Sequence, residues 1–163
     1  MSRYLIWDFD DTLAFHTKRW AGVLHSLAMR EIPDCSKTVE DIRRYTHTGF
    51  YWHTPDIAHT HIQSSEAWWE GIYPQLELAL TLNNVELSLA KKLARAFLAA
   101  YLELSNWRLF DDTLPTLQEL SEQGWKHVIL SNHAPELGDL VKGLGLTEHI
   151  EKVFNSALIG YEK

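Results

Sequence analysis

Near the start of the chain, the stretch LIWDFDDTLAF at 5–15 sets three carboxylates, Asp8, Asp10 and Asp11, directly after the apolar run Leu5-Ile6-Trp7. Acidic side chains at this spacing repel one another. A buried strand that ends in them makes sense when a cation or an anionic ligand with its own counter-ion occupies the space between. Residues two apart on an extended backbone project to the same side. Asp8 and Asp10 could therefore share one ligand. Two further polar sets follow apolar runs: Ser131-Asn132 closes KHVIL, and Lys163 lies a few residues beyond KVFNS. Taken singly, each has an ordinary reading. An acid-rich turn is usually a solvated loop or helix cap, Ser-Asn is usually a turn, and a terminal lysine is usually just charged surface.

The elements that must position these groups follow from periodicity. Residues 3–8, 126–131 and 152–156 are short apolar runs that predict buried strands. Trp20, Val23, Leu24, Leu27 and Ala28 recur at helical spacing over 17–30, with Thr17 as N-cap and Pro33 as stop. Thr38 and Asp41 open a short helix over 38–45. Residues 65–82 read as helical, with a break or kink expected at Gly71 and Pro74. Asn83 and Glu86 resemble a capping box before the stripe Leu89, Leu93, Phe97, Tyr101 and Leu104. Further helices start at Thr113-Pro115, ending at Gly124, and at Pro135. Residues 49–64 show no clean period.

The ends of the chain thus alternate strand and helix, which predicts an α/β fold with a Rossmann-like parallel sheet of about three visible strands. The core is expected over 1–15 and 107–163, with a helical block over 16–106 inserted after the first strand. Ligands of open parallel sheets bind beyond the carboxyl ends of the strands. Asp8 and Asp10, Ser131 and Asn132, and Lys163 all fall at that edge.

Composition narrows the function classes. The chain has 163 residues and 45% hydrophobic content, enough for one core with a modest insertion. A formal net charge of −7 argues against a generic grip on nucleic acid or an anionic membrane. It leaves room for a phosphorylated small molecule held by a local cation. Cys35 is the single cysteine, which excludes an intrachain disulfide and a cysteine-built zinc cluster. With no apolar leader and no run of membrane-span length, the chain reads as cytoplasmic.

DFDDTL at 8–13 resembles the first motif of the haloacid dehalogenase superfamily, Asp-any-Asp-any-Thr. VILSN at 128–132 is similar to the second motif, and SALIGYEK at 156–163 to the approach to the third, whose lysine falls on Lys163. The resemblance implies that Asp8 is the nucleophile and forms an aspartyl-phosphate. Asp10 then protonates the leaving alkoxide and activates water. Ser131 donates a hydrogen bond to a phosphoryl oxygen, Lys163 neutralises charge on Asp8 and the phosphate, and Asn132 and Thr12 support substrate binding. It also implies Mg²⁺ held by the carboxylate of Asp8, the carbonyl of Asp10 and a further acid. An acid at position 10 points to the phosphatase branch, because a departing halide needs no proton. Asp11 fills a slot where glycine is frequent in relatives. The function implied is hydrolysis of a small phosphate monoester, with a phosphomutase or a catalytically silent binding module as alternatives.

The fourth motif of the family, whose acids complete the metal site, has no counterpart before the chain stops at Lys163. Asp111, Asp112 and Asp139 are wrongly placed to replace it. The expectation is a fragment of a longer enzyme with weak Mg²⁺ binding and low activity, and an exposed edge on strand one open to self-association. The block at 16–106 resembles the helical cap of phosphoglycolate phosphatase-like members, which closes over a small substrate. Phe15 and His16, at the hinge into it, are expected to touch substrate. His53, His59 and His61 match no metal signature and read as surface or packing residues. Of the adjacent Trp68 and Trp69, one is expected in the core and the other on the substrate side or exposed.

Overall fold

The computed structural model describes residues 2–33, 36–62 and 64–163. Cys35 lies outside the described residues. Contacts divide the chain into two units, one of residues 1–17, 54–68 and 104–163, the other of 18–53 and 69–103.

The first unit is built on a parallel sheet of β1 (Arg3–Trp7), β4 (Trp125–Ser131) and β5 (Ile150–Asn155), in the order β1-β4-β5. All three expected strands form. Trp7 pairs with Ile129, and Ser131 with Asn155, so the polar residues that follow the apolar runs reach one edge together. α5 (Thr113–Glu122) packs on β4 and α6 (Leu137–Gly143) on β5, and Leu117, Leu137, Leu140 and Ile129 are buried. His127 is buried as well. Its Nδ1 accepts from the Trp7 indole N–H at 3.0 Å, so its proton sits on Nε2, which donates to the Leu117 carbonyl at 3.0 Å. Ile6 is 67% exposed, and Tyr4 and Leu130 are open to solvent. β1 is an edge strand among the described residues.

A second ribbon was not evident from periodicity. β2 (Ala14–His16) pairs antiparallel with β3 (Trp107–Leu109), bringing residues almost a hundred positions apart side by side. Three-residue strands carry too few residues for an alternation pattern to show. Thr17, expected to cap a helix, joins this ribbon instead: its amide and its hydroxyl both donate to the Asn106 carbonyl, at 2.8 and 3.0 Å.

The second unit holds α1 (Arg19–Glu31), α2 (Val39–Arg43), most of α3 (Ser65–Thr81) and α4 (Leu87–Tyr101). α1 is capped by Lys18 without a side-chain bond. The Thr38–Asp41 capping box forms as expected. α4 is capped by Glu86 itself, whose carboxylate accepts from the amides of Ser88 and Leu89. Asn83 is buried instead, its amide donating to the carbonyls of Ala79 and Asp41. Of the break or kink expected at Gly71 and Pro74, no break occurs: α3 runs on through Pro74. Burial of Trp69, Ile72, Tyr73 and Leu76 compensates for the one helical hydrogen bond that proline removes. Gly71 serves packing, since a Cβ there would lie 1.9 Å from the Tyr51 hydroxyl. The interior is an aromatic stack in which Trp20 meets Phe50, Trp69, Phe97 and Tyr101 at ring centroid distances of 4.6 to 5.7 Å.

Both tryptophans of the adjacent pair are buried, which corrects the expectation that one is exposed or lines a substrate face. Trp68 belongs to the first unit and Trp69 to the second. Neighbouring helical residues point about 100° apart, so each can enter a different interior.

Candidate active site

Asp8 follows β1 directly, and the chain then turns sharply. Phe9 is fully buried, between Trp107 at 5.6 Å and His133 at 5.7 Å. Its carbonyl accepts from the amides of Thr12, Leu13 and Ala14. Asp11 adopts φ 57°, and its amide donates to the Ala14 carbonyl at 2.8 Å. This left-handed conformation suits glycine and is tolerated by aspartate. Phe9 thus acts as the peg that fixes the turn, with Asp8 on one side of it and Asp10 on the other.

Residues from all three strand ends converge on the Asp8 carboxylate. Oδ1 accepts from the Ser131 hydroxyl at 2.8 Å and from the Phe9 amide at 2.8 Å. Oδ2 pairs with the Lys163 ammonium at 2.5 Å. Burial alone would push the Asp8 carboxyl up. The hydrogen bonds from Lys163, Ser131 and the Phe9 amide outweigh it and hold Asp8 below its ordinary value. An ionised carboxylate is the form a nucleophile needs.

Asn132 engages Lys163 rather than standing open. Its side-chain oxygen accepts from the Lys163 amide at 2.8 Å, and its NH₂ donates to the Lys163 carbonyl at 3.4 Å. This clasp fixes the backbone from which the ammonium reaches Asp8. Asp10 is partly exposed, with Oδ2 3.7 Å from His133 Nε2, beyond direct hydrogen-bond range. His133 is 2% exposed, and its Nδ1 lies 3.0 Å from the Ala134 carbonyl. It was not singled out in the sequence, although it immediately follows Ser131-Asn132. A histidine in a loop carries no periodic signal, and only the fold brings it beside Asp10.

Of the remaining expected site residues, Thr12 is an exposed member of the turn. Phe15 is half-buried against Phe110 at 5.0 Å. His16 is 6% exposed and sits edge-on to Trp107 at 5.0 Å.

The donor set is incomplete for a metal ion. The Asp8 carboxylate and the Asp10 carbonyl are hard oxygen donors of the kind Mg²⁺ takes. Among the described residues, however, no group of three His, Cys, Asp or Glu gathers closely enough to hold a metal. Both Asp8 oxygens are already engaged by hydrogen-bond or ion-pair partners. The residues present therefore do not make a full Mg²⁺ site.

A parallel sheet whose strand ends bring an aspartate, a serine and a lysine together defines a class of hydrolase. The haloacid dehalogenase-like hydrolase profile matches residues 3–163, and the chain belongs to that family. Magnesium dependence is common in the family. Among curated proteins, the chain is 26% identical over 173 residues to the human haloacid dehalogenase-like hydrolase domain-containing protein 3, covering 99% of this chain and 64% of the relative. It thus spans about two thirds of that relative's length. Among solved structures, a predicted phosphoglycolate phosphatase from Haemophilus somnus superposes with TM-score 0.59 at 15% identity, covering 95% of this chain and 62% of that one. The L-2-haloacid dehalogenase of Xanthobacter autotrophicus superposes with TM-score 0.61 at 22% identity, covering 100% and 60%. At these identities the likeness concerns the fold. No described helix is long and apolar enough to cross a membrane.

Proposed function

We propose that the protein is a phosphatase that hydrolyses a small phosphate monoester through an aspartyl-phosphate on Asp8. The observation that supports this most is the convergence of Ser131, Lys163 and the Phe9 amide on the Asp8 carboxylate, with a second acid, Asp10, two residues on. A carboxylate oxygen of Asp8 attacks phosphorus, a P–O bond forms, and the bond to the leaving alkoxide breaks. Asp10 gives its proton to that alkoxide. Water then attacks the phosphorus, Asp10 takes its proton, and the Asp8–phosphorus bond breaks to release inorganic phosphate. The Ser131 hydroxyl and Lys163 ammonium transfer from the carboxylate to the phosphoryl oxygens, where their charge and dipole oppose the charge that builds up. The Phe9 amide keeps Asp8 oriented throughout.

A dehalogenase would use the same nucleophile but needs no acid for its leaving group. Asp10 favours the phosphatase on that ground. Any requirement for Mg²⁺ would involve the Asp8 carboxylate and the Asp10 carbonyl, with ligands beyond those the described residues gather. The test is to supply an aryl phosphate and a 2-halo acid separately, with and without added Mg²⁺. Release of phosphate that is lost in Asp10→Asn supports the proposal. Release of halide that survives Asp10→Asn overturns it.

A further inference from the structure

The lysine that reaches Asp8 sits on a tail with little holding it. α7 (Ser156–Ile159) is one turn long and ends at Gly160, which has φ 80°. Leu158, Ile159 and Tyr161 are 65%, 43% and 60% exposed, so apolar burial contributes little to fixing residues 158–161. The Asn132 clasp secures Lys163 at one end. What secures the other end lies about a hundred residues earlier in the chain.

That partner is the histidine-rich segment that periodicity left unexplained. Residues 54–68 cluster with the sheet unit although the chain on either side of them belongs to the helical unit. The His59 amide donates to the Gly160 carbonyl at 2.7 Å. A Cβ at Gly160 would lie 2.6 Å from Thr60 Cα, 2.7 Å from Thr60 N and 3.0 Å from the His59 carbonyl carbon, so two backbones touch here and only glycine fits. A second tie follows, from the Ser65 hydroxyl to the Glu136 carboxylate in the loop after Ser131-Asn132. Buried Trp68 anchors the far end of the segment, whereas most of 54–61 is exposed and meets the tail through these backbone and polar contacts.

We propose that residues 54–62 and 64–68 form a strap that positions Lys163, pressing on Gly160 while Asn132 holds the far end of the same short tail. The strap acts through backbone contact at His59 and Thr60. Its catalytic meaning rests on the phosphatase reading, in which Lys163 must meet the phosphoryl group at a fixed place. The clamp itself does not depend on that reading.

The test compares four variants of the full chain by amide hydrogen exchange at Lys163 and by hydrolysis of an aryl phosphate. His59→Pro removes the amide that bonds Gly160, and Gly160→Ala forces the two backbones apart. His59→Ala keeps the amide and serves as the conservative rescue. Gly145→Ala is the strain control, because Gly145 has φ 77° but a Cβ there meets nothing within 4 Å. The expected result is that exchange at Lys163 quickens about tenfold in His59→Pro and Gly160→Ala, while His59→Ala and Gly145→Ala keep the original rate. In the first two, kcat falls and KM changes little. Unchanged exchange in both His59→Pro and Gly160→Ala, or an equal rise in Gly145→Ala, overturns the strap. If the parent chain hydrolyses no phosphate and yet the exchange contrast is present, the strap stands and the phosphatase reading falls.

Discussion

The two units use their interiors differently. Among the described residues, the buried polar side chains His16, Asn106, Thr113, His127, Ser131, His133, Asn155 and Ser156 all belong to the sheet unit, and Asn83 belongs to the helical one. The helical unit fills its interior with stacked rings around Trp20 instead. A buried polar group costs free energy unless it is bonded, and bonding fixes its direction. The sheet unit spends that cost where direction matters: Ser131 and the Asn132–Lys163 clasp aim at one carboxylate. The helical unit gains stability from ring area, which fixes shape but aims nothing. On the proposed function, the difference places the reacting groups in the sheet unit.

Substitutions can break or sharpen that contrast. The largest expected effect is on Asp8→Asn, which should abolish hydrolysis, by on the order of 10³-fold or more, with the melting temperature little lowered. A comparable loss of activity from a ring substitution alone would erase the contrast. Phe97→Ala, in the middle of the stack, should cost about 3–5 kcal/mol in denaturant unfolding, while amide signals of residues 8–10 and 131–133 stay in place. Trp7→Phe leaves His127 Nδ1 without its donor and should cost about 1–3 kcal/mol, an unusually large value for a tryptophan only half-buried.

Lys163→Met tests electrostatics within the site. Asp8 is held low by Lys163 first among its hydrogen-bonding partners, against burial that pushes it up. Removing the ammonium lets burial count for more, so Asp8 should titrate at higher pH. A carboxyl with a depressed value adds stability above its unfolded value and loses it as pH falls through the folded one. In Lys163→Met that acid loss should begin at higher pH, and the acid limb of any hydrolysis should move the same way. A pH profile of unfolding and of rate checks both. The smallest effect is expected from Asp11→Gly, which relieves the left-handed conformation and should change stability by less than about 1 kcal/mol. A large loss there would mean that the Asp11 carboxylate does more than occupy a turn.

The sheet, and the placement of the candidate site at its edge, were legible because apolar runs ended in charged or hydroxyl residues, and each such end became a strand terminus. Asp8, Ser131 and Lys163 could be brought together by topology alone. Features set by tertiary contact were not legible. The β2–β3 ribbon is too short for a pattern, and His133 becomes a neighbour of Asp10 only through the turn around Phe9. Thr17 looked like a helix cap because its type suits one, but the Asn106 carbonyl takes its hydroxyl. Pro74 looked like a break because the backbone rule is local, whereas the burial that overrides it is not. Trp68 and Trp69 could not both be placed in one interior, and the solution was two interiors.

The most direct test of the central claim asks where phosphorus goes. The protein is mixed with an aryl phosphate, quenched in acid during turnover and treated with borohydride, which reduces an aspartyl-phosphate to homoserine. Peptide mass analysis should then find homoserine at position 8 and nowhere else, with none in Asp8→Asn. Hydrolysis that proceeds with aspartate intact at position 8, or homoserine at another acid, would contradict the assignment of Asp8 as nucleophile.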